Sequence, residues 1–193
     1  MNVWLFGYGS LIWRPDIAYL ERRRARLWGW ERRFWQGSHD HRGLPHHPGR
    51  VVTLVENAQG HCDGMAYLVQ REVVFETFEA LDHREKNGYE RVEVGLELPS
   101  GAPHRREPTP GAPTAGAPTR GALTPGVVYI AAIDNHAFLG PAPLPEMAAQ
   151  IRTCEGPSGR NIDYLMDLAR ALRELDADDP HVFELEAAVR GGG

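Results

Sequence analysis

The sequence predicts one domain of mixed α and β structure, with strands in its first two thirds and helices clustered near its end. Three observations support this fold class. The chain has 193 residues, of which 42% are hydrophobic, and this is enough to bury one core. Apolar and polar residues alternate over residues 90–99, and residues 144–190 place apolar side chains at helical spacing.

Each expected strand is an apolar run bounded by turn residues. The second strand bends at Gly29, and the turn-rich "NAQGHCD" at 57–63 is interpreted as the connection between the third and fourth. The run "ERVEVGLELP" alternates with a period of two, so one face of that strand is buried and the other is wet. In chain order the strands are expected at residues 3–6, 26–35, 50–56, 64–70, 90–99 and 127–133.

Apolar residues at helical spacing predict four helices, of which the last has the weakest pattern. Asn161 is a candidate N-cap for the third helix. Cys154 falls on the apolar stripe of the second, which is the usual place for a buried structural thiol. The helices are expected at residues 73–86, 144–154, 162–175 and 182–190.

Residues 99–126 differ from the rest of the chain. The stretch "GAPTAGAPTRGALT" repeats with a period of five from Gly111, and each unit contains Gly, Ala and mostly Pro. Such units supply no face for packing. We therefore expect a long, mobile Pro/Gly/Ala-rich insert between two strands, within a single domain that spans residues 1–193.

Composition and charge narrow the choice of partners and compartment. The net charge of −5 disfavours a general nucleic-acid binder. No apolar stretch is long enough to cross a membrane, and the first residues lack the basic start of a signal peptide. The two cysteines, Cys62 and Cys154, have no CxxC spacing. We expect a cytoplasmic protein with reduced thiols and neither a nucleic-acid nor a membrane partner; the oligomeric state is left open.

The first expected helix has a carboxylate at the end of its apolar face. Val74, Phe78 and Leu81 share a narrow stripe, and Glu85 follows Leu81 by four residues, so it falls on the same stripe. Desolvation and a helix C-terminus both raise the pKa of a carboxylate, which suits a general base near neutral pH. The pattern alone leaves another interpretation open, in which Glu85 pairs with a neighbouring basic residue on an exposed helix end.

Six segments of the chain resemble the ChaC-type γ-glutamylcyclotransferase family. They follow the family's order over nearly the whole chain, except in the insert, and "FGYGSL" followed much later by "REK-GY" is specific. One departure is Asn87, where many relatives have a small residue. The segments are "FGYGSLIW", "RRFWQGSHDHRG", "PGRVVTLV", "REKNGYERVEV", "FLGPAP" and "CEGPSGRNIDYL".

This resemblance implies a small, partly closed barrel-like mixed sheet with flanking helices. It also implies cleavage of glutathione to 5-oxoproline and cysteinylglycine, without metal or cofactor, with Glu85 as the catalytic acid/base. The glycine-rich turn after the first strand would cradle the γ-glutamyl group with its backbone N–H groups. The expected substrate-binding residues are Leu5, Phe6, Gly7, Tyr8, Gly9, Ser10, Leu11, Tyr89 and Tyr164. Candidates for binding the carboxylate of the substrate's glycine are Arg42, Arg50 and Arg160.

Other functions have weaker support from the residues. A γ-glutamylamine or a γ-glutamyl amino acid is an alternative substrate. A dinucleotide-binding turn would need glycine at Ile12, and a serine hydrolase would need glycines at alternate positions around Ser10. "ERRRARLWGWERRFW" mixes arginine with tryptophan, as some nucleic-acid surfaces do, but it is more typical of an amphipathic strand with a wet basic face.

A His-rich metal- or ligand-binding module is the non-enzyme alternative. Four imidazoles within nine residues are able in principle to hold zinc or nickel. Two prolines make the segment a loop, however, and no cysteine or carboxylate completes a familiar ligand spacing. The histidines are His39, His41, His46 and His47.

Overall fold

The computed structural model describes residues 1–84, 88–99 and 121–192. In that part of the chain five strands close into a barrel, in the order β1-β3-β2-β4-β5. Neighbouring strands are antiparallel, except that β1 and β5 pair in parallel and close the barrel. The strands are β1 (Val3–Gly7), β2 (Glu21–Ser38), β3 (Gly49–Val69), β4 (Tyr89–Glu97) and β5 (Leu123–Ala131).

The expected mixed α+β architecture is confirmed, and the barrel closes completely where partial closure was expected. Its narrowest seam joins β2 to β4 through two residue pairs. Two short 3-10 helices, a two-stranded hairpin and four helices complete the described fold. These are the 3-10 helices Ser10–Ile12 and Arg71–Val73, α1 (Val74–Arg84), α2 (Leu144–Thr153), β6 (Glu155–Gly156), β7 (Gly159–Arg160), α3 (Asn161–Glu174) and α4 (Pro180–Gly191).

A bulge at Gly29 reverses the inside and outside faces of β2. Gly29 has φ +83°, a left-handed conformation that favours glycine, and the register with β3 shifts at this point. Before it, Ala25 and Leu27 are buried; after it, Arg32 and Phe34 are buried. A shift of one residue sends every following side chain to the other face. The expectation that the basic residues of this strand face solvent is therefore wrong for Arg32.

The third and fourth expected strands form one continuous strand, β3, so the turn predicted at 57–63 is wrong. Trp28 pairs with His61 and Trp30 pairs with Glu56. Residues 57–60 therefore lie opposite Gly29 alone and form a four-residue bulge in the pairing of β2 with β3. Asn57 donates from Nδ2 to Glu31 Oε1 at 2.6 Å, which ties the bulge to β2. Pairing with β2, which has 18 residues to the 21 of β3, thus keeps a turn-like sequence within the sheet.

Two hydrophobic clusters lie on opposite faces of β1. Successive strand residues point to opposite faces, so Phe6 joins the main core with α2, α3 and α4, whereas Leu5 packs with α1. Phe78 and Leu81 of α1 are buried in this second cluster. The apolar stripe expected on this helix is confirmed. None of the described helices has the length and apolar character needed to cross a membrane.

The end of the insert and the role of Asn161 both differ from expectation. β5 begins at Leu123, so residues 123–126, expected within the insert, belong to a barrel strand; residues 100–120 lie outside the described residues. Asn161 is the first residue of α3 and does not cap it. Its Oδ1 accepts from Arg50 N and its Nδ2 donates to Arg50 O, both at 2.7 Å, which fastens α3 to β3.

Candidate active site

The turn after β1 uses its two glycines to make room for the chain's own side chains. A Cβ on Gly7 would lie 2.6 Å from Leu11 Cβ. A Cβ on Gly9 would lie 2.9 Å from Tyr164 Oη and 3.1 Å from Val52 Cγ2. The close approach of Tyr164 and Val52 requires glycine at this position.

Three hydrogen bonds that involve buried side chains hold this turn in place. Arg32 Nε donates to Tyr8 O at 2.7 Å, and the Tyr8 hydroxyl donates to Tyr129 O at 2.8 Å. The Tyr67 hydroxyl donates to Leu11 O at 2.6 Å. Burial raises the pKa of Tyr67 to about 12, so this hydroxyl keeps its proton at neutral pH. The backbone of the turn is therefore fixed before any ligand binds.

A small cavity of about 60 Å³ opens beside the turn. It brings together seven of the nine expected substrate-binding residues. The Tyr89 hydroxyl donates to Val52 O at 2.7 Å, which holds its ring at the cavity wall. The lining residues are Phe6, Tyr8, Gly9, Ser10, Leu11, Val52, Tyr89, Tyr129 and Tyr164.

Val52 and Tyr129 were not anticipated from the sequence. Both lie on barrel strands that meet the turn only through long-range pairing, although a tyrosine in the apolar run of β5 was a usable signal. Leu5 and Gly7, the other two expected residues, are not among those that line the cavity. Leu5 packs against α1, and Gly7 makes room for Leu11.

A larger cleft of about 630 Å³ adjoins the small cavity and shares Ser10, Tyr89 and Tyr164 with it. One wall is the segment from Ser10 to Ala18, and the opposite wall is the end of β2 with residues 40–42. α1 contributes Thr77, Ala80 and Leu81. Clefts of this size typically bind small molecules.

Glu85, the expected acid/base, lies outside the described residues. The described chain stops at Arg84 at the end of α1 and resumes at Gly88 before β4. Leu81 and Tyr89, on the two sides of this gap, both line the cleft. The role of Glu85 stays a prediction.

The three candidate arginines have different surroundings. Arg50 is buried, and it donates to Gln150 Oε1 at 2.7 Å and to the carbonyls of Phe34 and Gly140 at 3.0 Å. Burial lowers its pKa. Arg50 is thus a structural residue, and its expected role as a carboxylate ligand is wrong.

Arg160 and Arg42 differ in their position, because Arg42 lines the cleft and Arg160 is not among the lining residues. Arg160 is exposed and forms an ion pair with Asp163 at 2.7 Å. Arg42 lines the cleft, with its Cζ 5.7 Å from the centre of the Tyr164 ring. Of the three candidates for binding the substrate's glycine carboxylate, Arg42 is therefore the one that lines the cleft.

Sequence reasoning missed a buried ion pair behind the turn. Besides Tyr8 O, the Arg32 guanidinium contacts Asp179 Oδ2 and Asp63 O, each at 2.5 Å. Asp179 also caps α4, because its Oδ1 accepts from Val182 N at 3.1 Å. The pair links the turn to the N-terminus of α4.

The histidine-rich loop places His41 at the cleft, with Nδ1 3.1 Å from Ser158 Oγ. His46 and His47 are exposed. Within residues 1–84, 88–99 and 121–192, no group of three or more His, Cys, Asp or Glu side chains is arranged to hold a metal ion.

The fold is that of the γ-glutamyl cyclotransferases. A crystal structure of the yeast γ-glutamyl cyclotransferase specific to glutathione superposes with a TM-score of 0.84 at 30% identity, covering 98% of this chain and 96% of that one. A second solved γ-glutamyl cyclotransferase shares the fold at a TM-score of 0.54 and 13% identity. The sequence model of the ChaC-like protein family matches residues 3–191, and the chain belongs to this family.

Curated relatives match over nearly the full chain. The glutathione-specific γ-glutamylcyclotransferase 1 of Danio rerio is 40% identical over 192 residues, which cover 97% of this chain and 89% of the relative. The human protein of that name is 40% identical over 191 residues, covering 97% and 78%. The glutathione-specific γ-glutamylcyclotransferase of Saccharomyces cerevisiae is 35% identical over 201 residues, covering 90% and 87%.

Proposed function

We propose that this protein is a γ-glutamylcyclotransferase that cleaves glutathione to 5-oxoproline and cysteinylglycine. The observation that supports this most strongly is the near-full-length similarity to glutathione-specific relatives, together with the cavity at the glycine turn. The γ-glutamyl end of the substrate would lie where the small cavity meets the cleft, at the shared residues Ser10, Tyr89 and Tyr164. The adjoining cleft would hold the cysteinylglycine part.

The reaction closes a five-membered ring within the substrate. The α-amine nitrogen forms a bond to the γ-amide carbonyl carbon, and the bond from that carbon to the cysteine nitrogen breaks. Holding the two ends of one molecule in a reactive geometry can contribute on the order of 7 kcal/mol or more. A rigid turn suits this task, since Arg32 and Tyr67 donate hydrogen bonds to its backbone carbonyls and the Tyr8 side chain is held by the carbonyl of Tyr129.

The orientation of the peptide group between Tyr8 and Gly9 supports the expectation that the turn binds the substrate through its backbone N–H groups. The carbonyl of Tyr8 accepts from the buried Arg32. In a trans peptide the C=O and the following N–H point in opposite directions, so the N–H of Gly9 is directed away from Arg32. Such a fixed donor would stabilise the oxyanion that develops on the γ-carbonyl oxygen.

Glu85 would move the protons. It would take one from the substrate's ammonium group, which frees the amine to attack, and return one to the departing cysteine nitrogen. Support comes from the family resemblance of "REKNGY" and from the positions of Leu81 and Tyr89 in the cleft lining on either side of it.

The test is incubation of the purified protein with glutathione and detection of 5-oxoproline by mass spectrometry. Glu85→Gln is expected to lower kcat by about 10²–10⁴. Glu79→Gln is the matched control, because Glu79 is exposed on α1 and is not among the residues lining the cleft. Absence of product from the parent protein would refute the activity, and undiminished turnover by Glu85→Gln would refute the base.

A panel of γ-glutamylamines and γ-glutamyl amino acids, assayed in parallel, measures the preference for glutathione.

The same proposal includes a cytoplasmic location. Cys62 and Cys154 are both free and buried, as is usual in a reducing compartment.

A further inference from the structure

Arg14 and Arg42 both line the cleft, but they differ in whether a carboxylate lies next to the guanidinium. Arg14 lines the same cleft, and its Nε lies 3.1 Å from Asp16 Oδ2. Arg42 forms no ion pair with any carboxylate in the part of the chain that the structure describes. Its side chain contacts the Tyr164 ring and the carbonyl of Arg160, to which Nη1 donates at 3.2 Å.

The backbone around Arg42 is held firmly. Arg42 N donates to Ser38 Oγ at 2.9 Å, and Ser158 N donates to His41 O at 2.9 Å. Gly43 is packed so closely that a Cβ there would lie 2.0 Å from Gly49 N. The Arg42 side chain therefore extends from a fixed backbone, and its guanidinium is held by the Tyr164 ring and the carbonyl of Arg160, which lowers the entropy cost of binding a ligand.

Tyr164 links Arg42 to the glycine turn. Its hydroxyl lies beside Gly9 at the small cavity, while its ring lies beneath the Arg42 guanidinium. The T-shaped packing of Trp13 and Phe34 on this ring holds it in place. The Arg42 guanidinium is therefore separated from the glycine turn by about the length of the Tyr164 side chain.

This spacing matches the far end of the proposed substrate. In glutathione the terminal carboxylate lies two residues beyond the γ-carbonyl, a reach of about 7 Å when extended. The other charged groups lining the cleft include the carboxylates of Asp16, Asp40 and Glu76, which repel an anion. An arginine fork is well suited to a carboxylate because it can donate two parallel hydrogen bonds.

We propose that Arg42 binds the terminal glycine carboxylate of glutathione and thereby selects substrates that end in a free carboxylate at this distance. The inference rests on the proposed cyclotransferase function. Arg42 is a specificity-determining residue, and the ring-closing chemistry at the other end of the substrate does not involve it.

The experiment compares glutathione with glutathione amide, in which the glycine carboxylate is a carboxamide. The parent is expected to have a kcat/KM about 10- to 100-fold higher for glutathione, since a hydrogen bond to a charged group is lost in the amide. Arg42→Gln is expected to lower kcat/KM for glutathione by that factor and to leave kcat/KM for the amide nearly unchanged. Arg42→Lys, which keeps the charge without the fork, should retain part of the preference.

Arg160→Gln is the matched control, because Arg160 is exposed and paired with Asp163, and both substrates should be cleaved as by the parent. The thermal midpoint of each variant monitors folding. Equal cleavage of both substrates by the parent would overturn the inference, as would equal losses on both in Arg42→Gln. If Arg42→Gln does not fold, the parent's ratio and Arg42→Lys decide the question. Failure of the parent to form 5-oxoproline from either substrate would instead refute the proposed function.

Discussion

Replacing Arg32 with methionine is expected to lower the free energy of unfolding by about 3–5 kcal/mol, the usual cost of breaking a buried ion pair. Arg32 is 1% exposed and donates to Tyr8 O, Asp63 O and the Asp179 carboxylate. Methionine keeps most of the volume but leaves these three acceptors without their donor. Urea denaturation at pH 7, followed by tryptophan fluorescence, measures the loss.

A double-mutant cycle with Asp179 distinguishes the ion pair from a general packing defect. Asp179→Asn keeps an oxygen able to cap α4 but leaves the buried Arg32 charge unpaired, so its own cost should also be about 3–5 kcal/mol. In the double variant no buried charge is left unpaired, and we expect a coupling energy of about 1–3 kcal/mol. Strictly additive losses, or a loss below about 1 kcal/mol in Arg32→Met, would refute the reasoning.

The same variants test the link to catalysis. Without Arg32 the carbonyl of Tyr8 loses its donor, and the peptide that directs the Gly9 N–H is free to rotate. At a temperature where the variant is folded, kcat for glutathione should fall by more than KM rises. Arg32→Lys, which keeps one donor, should recover part of kcat.

Two further predictions follow from the site and its surroundings. Gly9→Ala places a Cβ 2.9 Å from Tyr164 Oη, so kcat/KM for glutathione should fall about 10- to 100-fold; Tyr164→Phe in the same background should restore part of it, and an unimpaired Gly9→Ala would contradict the close packing. Burial lowers the pKa of His181 to about 4, and its Nε2 accepts from Phe34 N at 3.0 Å. The unfolded chain binds this proton first, with a pKa of about 6.5, so stability should fall as the pH drops from about 6.5 to about 4, by up to ~3 kcal/mol. Unfolding midpoints at pH 7 and pH 5 should differ less in His181→Gln than in the parent, and equal pH dependence would count against the idea.

The local patterns that depend on neighbours in sequence were predictable. The alternation of β4 and the apolar stripe of α1 depend on periodicity alone, and both are present. The glycine turn was recognisable from its residues, but the reason for the glycines was not. The side chain that fills the space at Gly9 comes from Tyr164, far along the chain.

The features that were missed depend on bulges and distant partners. Arg32 is buried because the Gly29 bulge reverses the faces of β2, and because Asp179, 147 residues away, neutralises it. Pattern analysis places such an arginine on the wet face. Arg50 was misjudged for the same reason, since its acceptors at Phe34, Gly140 and Gln150 are brought together only by the fold.

The position of β1 between β3 and β5 has a consequence for synthesis. The glycine turn is attached to a strand that is synthesised before the other barrel strands, yet Trp4 pairs with Gly126 and Val3 with Val69. Contacts so distant in sequence form late and slowly. A nascent chain that has not yet reached β5 leaves one edge of its first strand unpaired, so glutathione in the cell meets a competent enzyme only after most of the polypeptide has been made.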